Sequence, residues 1–156
     1  MESEMLMDEV VLLLKQGSSV TLRVTGKSMC PFLMPKRDKV LLCPALSFQI
    51  GDIILVGTAT KEFVLHRIYE MGTDTLLLMG DGNLSQMEVC SRDAVLGKAV
   101  KIIRKGHEVD CSSRMERFLS LTWMRLRPFR RWLLVVCRFF LNGLDDKNDD
   151  DYETDE

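Results

Sequence analysis

The chain has 156 residues, about one domain, which is long enough to bury a core that folds unaided. Lys and Arg number 21 against 23 Asp and Glu, and a net charge of -2 gives no global attraction to nucleic acid. Five cysteines (Cys30, Cys43, Cys90, Cys111, Cys137) form an odd set without a C-x-x-C pair, which argues against a disulfide framework or zinc site and for a reducing compartment.

The opening MESEMLMDEVVLLLKQG has acids where a signal peptide needs bases, and no stretch reaches the roughly 18 apolar residues of a spanning helix. A cytoplasmic protein is expected. Within that opening, Met5, Val10, Leu13 and Leu14 predict a helix over 4–15, ended by Gly17. The period then becomes two: Val20, Leu22 and Val24 alternate with Thr21, Arg23 and Thr25, a half-buried strand stopped by Gly26. Further short strands are predicted at 39–43, 52–56, 62–69, 74–79 and 95–103, which together describe a mainly β, coiled-sheet domain.

Beyond Gly106 the pattern turns helical. Ser113 and Glu116 form an S-x-x-E capping box for a helix running toward Arg127, and Pro128 suits the first turn of a second helix. On a wheel for 128–141, Phe129, Leu133, Val136, Cys137 and Phe140 share one side, with Arg130, Arg131 and Arg138 opposite. Such a helix packs on the sheet with its arginines in water, pairs them with the acidic tail, or makes peripheral contact with an anionic membrane. Gly143 is expected to end it. The chain thus divides into 1–106, the sheet domain with its N-terminal helix; 107–143, the basic helices; and 144–156, an acidic tail too poor in apolar residues to pack and expected to be disordered.

Three positions could carry chemistry. In VTGKSMCPFL a strand ends at Gly26 and sets Ser28 on a turn before Pro31; alone, such a serine is more often a turn residue. His66 shares a strand face with Val64 and Ile68, so it should be partly buried, neutral near pH 7, and able to accept a hydroxyl proton, or simply be a satisfied core histidine. In LLLMGDGN, Asp81 either makes a hairpin turn or orients His66 through one ring nitrogen. His107, after Gly106, reads as surface. Lys27 adjoins Ser28 but should point away from it, and Cys30, two residues on, is a weaker candidate nucleophile.

In order, GKSMCP, GDIILV, VLHRI and GDGN resemble the motif boxes of the type I signal peptidases and LexA-type repressors, a shared clan of serine peptidases; the resemblance covers roughly Thr21 to Val100. It implies the coiled β-sheet fold of that clan, Ser28 as nucleophile, and a base at His66. Bacterial signal peptidases and LexA-type proteins have lysine there, whereas the endoplasmic-reticulum type has histidine, and Arg67 and Ile68 match the residues that follow it. G-D-G-N departs from the more usual G-D-N-N. That branch also uses an acid further on, where this chain offers Glu88 or Asp93; Asp81 is the first choice for the orienting acid and Glu88 the second. The resemblance further implies no metal or cofactor, a peptide or protein substrate bound as an added strand, and backbone N–H groups near Ser28 as oxyanion donors.

The expected function is therefore a serine-type endopeptidase. Twenty-seven residues precede Ser28 and no Ala-Gly pair is present, so an autocleaving DNA-binding switch is not expected. The rival readings are an inactive peptide-binding module of the same fold and a membrane-associated processing factor.

Overall fold

The structure is a computed structural model and describes residues 2–58 and 62–145; most of the acidic tail, from 146 onward, lies outside the described residues. Helix α1 (Glu2–Lys15) forms where its apolar spacing predicts. Met7, Val10 and Leu14 turn toward the sheet, and Gly17, at φ 87, takes the left-handed position that ends the helix. Leu14 seats on Gly97, where a Cβ would stand 3.0 Å from its Cδ1.

Eight strands follow: β1 (Val20–Arg23), β2 (Asp38–Cys43), β3 (Ile53–Gly57), β4 (Phe63–Met71), β5 (Thr75–Met79), β6 (Glu88–Ser91), β7 (Val95–Arg104) and β8 (His107–Asp110). Every pairing is antiparallel, in the order β1-β2-β7-β3-β4-β5-β6, with β8 folding back on the end of β7. The protein is mainly β, and its sheet curls into a half-barrel. Both faces are covered. Ile53 and Leu55 join one apolar cluster and Ile54 and Val56 the other, which explains why β3 reads as a continuous apolar run.

Two strands were not predicted. EVCS of β6 and HEVD of β8 lack apolar alternation and form as short partners of β5 and β7. His107 is exposed, as expected, but it lies on a strand, and the division at 106/107 falls in the β7–β8 hairpin turn (Lys105 φ 48, Gly106 φ 81).

Ser113 caps α2 (Arg114–Arg125), its hydroxyl accepting the Glu116 N–H at 3.3 Å. Pro128 sits in a 3₁₀ turn, Arg127–Phe129, and α3 (Arg130–Asp145) runs on through Gly143, because glycine permits a helix stop without imposing one. The helix-wheel expectation is corrected at two points. Arg130 is fully buried alongside Leu134, whereas Phe129 and Val136 are exposed; the Phe140 side chain lies outside the described residues. Among the described residues, no helix is long and apolar enough to cross a membrane.

Candidate active site

The Ser28 turn is anchored from within the chain. Met29 and Leu33, on either side of Cys30 and Pro31, bury their side chains in the cluster that also takes Val24 and Leu42. Short backbone bonds close the loop, Cys30 N–H to Lys27 O at 3.1 Å and Leu33 N–H to Met29 O at 2.9 Å. With its neighbours fixed, Ser28 stays half-buried at the surface.

Opposite lies the turn after β5. The Gly82 N–H donates to Ser28 O at 2.7 Å, and a Cβ on Gly80 would overlap that same carbonyl. At Gly82 a Cβ would come within 2.8 Å of Lys27 O. These glycines are needed for close backbone approach. Gly80→Ala should displace the Ser28 turn while keeping the sheet. If Ser28 reacts, kcat should fall about 10²-fold, the cost of a misplacement near 1 Å, and the thermal midpoint should fall as well, because the displaced carbonyl belongs to a turn anchored by Met29 and Leu33. Wild-type turnover by this variant would detach the glycine contact from activity.

His66 comes to the same place through register. Arg67 pairs with Met79 and Ile68 with Leu78, so His66 adjoins the end of this ladder on β4 and Gly80, whose backbone rests on Ser28, adjoins it on β5. The imidazole is 5% exposed and lies on the face of Val64 and Ile68, as alternation predicts. Its Nδ1 stands 3.3 Å from Glu88 Oε2, within ion-pair distance but not aligned for a hydrogen bond. Burial pushes the His66 pKa below its ordinary value; the charge and contact of Glu88, then the charge of Asp81, oppose that shift. Neutral imidazole is the favoured form. Among the described residues Ser28 Oγ makes no hydrogen bond, to His66 or to any other group.

Asp81 does not take up the orienting contact expected of it. Strand parity is the reason: Leu76 and Leu78 share the His66 face, whereas Met79 and Asp81 alternate onto the Arg67 face. Arg67 there engages both Asp81 oxygens, Nε at 2.8 and 3.1 Å and Nη2 at 2.6 Å. Glu88 is directly opposite Leu78, so it projects to the His66 side and fills the place assigned to Asp81. Asp93 is exposed in the 3₁₀ turn Arg92–Ala94.

Arg67 also ties the motif segments together. Its Nη1 donates to Gly51 O at 2.7 Å and to Ser120 Oγ at 2.8 Å, and its guanidinium lies 4.9 Å from the Phe32 ring centre. Burial works against this charge, but Asp81 outweighs it and raises the Arg67 pKa. The C-terminal helices complete the support: Trp123 Nε1 donates to Asp81 O at 3.1 Å, and Arg130 donates to Asn83 O at 3.2 Å, to Trp123 O at 3.2 Å and to the Tyr69 hydroxyl. Sequence reasoning missed Ser120, Trp123 and Arg130 as parts of the site. The one signal available was a tryptophan three residues after a serine on an otherwise arginine-rich helix.

Burial pushes the Cys30 thiol up, against Lys27, Arg138 and Arg37, which disfavours its thiolate. Lys27 is exposed. Among the described residues no group of three or more His, Cys, Asp or Glu side chains gathers where a metal could sit.

No protein-family model matches this chain. It is similar in part to a highly reducing polyketide synthase, Dhc3, of Alternaria cinerariae: 27% identical over 112 residues, 70% of this chain and 5% of the synthase. The chain therefore spans about one twentieth of the curated relative it matches.

Proposed function

We propose that this protein is a serine-type endopeptidase in which Ser28 is the nucleophile, His66 the general base and Glu88 the carboxylate that orients it. The observation carrying this reading is the buried His66, with Glu88 at Nδ1, at the end of the ladder that Gly80 follows, the glycine on which the Ser28 backbone rests. Glu88 at Nδ1 leaves Nε2 to accept the hydroxyl proton of Ser28, and the same imidazole returns a proton to the leaving amine. The Ser28 N–H makes no backbone hydrogen bond among the described residues, so it is free to stabilise the oxyanion. The substrate is an extended peptide that adds to a sheet edge, since among the described residues β1 pairs with β2 alone and β6 with β5 alone. The absent Ser28–His66 hydrogen bond favours a second reading, a groove that binds peptide without cutting it.

A pH-rate series separates the two. The neutral base is the active form and burial depresses its pKa, so kcat/KM should rise through one ionisation below the ordinary 6.5 and then level off. Glu88→Gln removes the anion that favours imidazolium; the rise should move to lower pH and the plateau should fall. A rise beginning only above about pH 9 would point to a lysine base such as Lys27. No turnover at any pH would leave the binding groove.

A further inference from the structure

We infer that the outward face of α3 docks on an anionic lipid surface. The inward face is already committed, with Leu134 buried and Arg130 held by the G-D-G-N turn and α2. On the opposite side Trp132 (80% exposed), Val135, Val136 and Phe139 (81% exposed) form a row at i, i+3, i+4 and i+7, with Phe129 at its N-terminal end. A contiguous aromatic ridge of this kind requires an apolar cover.

Charge decides the cover. From Arg114 to Leu144 there are seven arginines, and Glu116 is the only acid. Arg117 is taken by Asp52 and Arg130 is buried. Arg114, Arg125, Arg127, Arg131 and Arg138 are exposed and form no ion pair among the described residues. Arg131 and Arg138, seven apart, border one flank of the ridge. A second copy packed on this ridge would set arginine against arginine. The acidic residues after 145 offer an apolar ridge little beyond Tyr152. Anionic headgroups above acyl chains satisfy both the ridge and its basic border. At 16 residues α3 is about 24 Å long, short of the roughly 30 Å hydrocarbon layer, so it lies in the plane of the surface.

The full chain is floated with vesicles of phosphatidylcholine alone or mixed with phosphatidylserine, while tryptophan emission is recorded. Trp123 is buried and Trp132 exposed, so Trp132 reports contact. Expected are flotation with the mixed vesicles, a blue shift lost in Trp132→Phe, and reversal by salt. Arg131→Ala with Arg138→Ala should weaken binding about fivefold per arginine, and Val135→Ser with Phe139→Ser should abolish it, both variants keeping wild-type circular dichroism. Ser28→Ala should bind as wild type does, which separates docking from catalysis. Flotation with neither vesicle, equal flotation with both, or a dimer in sedimentation that Phe139→Ser dissolves would overturn the inference.

Discussion

Ser28→Ala and His66→Ala should each lower kcat/KM by about 10⁴-fold or more, and the double variant should be scarcely worse than either alone. Groups that act as one unit are not additive: once the hydroxyl is gone, the base has no proton to accept. The fold should survive both changes, because Ser28 is half-buried without a side-chain hydrogen bond among the described residues, and His66 gives up one misaligned contact. Kinetics on one cleavable peptide, with thermal unfolding alongside, check this. Full activity in Ser28→Ala refutes the assignment. Loss in Cys30→Ala instead moves the nucleophile to the thiol.

The largest effect on stability is expected at Arg67. Arg67→Met strips Asp81 of its partner while both positions are nearly inaccessible to water, at 2% and 0% side-chain exposure. It also leaves Gly51 O and Ser120 Oγ without their donor. Breaking a buried pair from one side costs about 3–5 kcal/mol, a fifth or more of the roughly 5–15 kcal/mol that holds a domain folded. Adding Asp81→Asn should recover part of the loss, since the stranded charge is then gone. Urea unfolding of the two single variants and the double variant measures the coupling. A loss below about 1 kcal/mol for Arg67→Met, the range of an exposed pair, would contradict this role.

Much of the fold was legible where one face of a strand is apolar. Val20 to Val24 announces itself by alternation and 62–69 by the turn residues around it, and a period of two within that strand puts His66 on the face of Val64 and Ile68. The acid beside His66 was not legible in the same way. The resemblance puts Asp81 first for the orienting acid, with the Asp-Gly turn as its rival, but continuing the parity from Leu78 through Gly80 sends Asp81 to the other face. Glu88 stands second through the resemblance; what sets it beside His66 is β6, a four-residue polar strand that forms only by pairing with β5. Arg130 misled for a related reason. A helix wheel sorts by charge, whereas this guanidinium is buried between Trp123 and Tyr69 by partners that no periodicity encodes.

The proposed nucleophile, Ser28, is tested most directly by peptide-bond cleavage itself. A peptide library drawn from a whole proteome, its amines blocked, is incubated with wild type and with Ser28→Ala, and newly formed N-termini are tagged and sequenced. New N-termini that share a pattern around the cut, present with wild type and absent with Ser28→Ala, are the predicted result. No new N-termini with folded wild type, or the same set with both proteins, would contradict it.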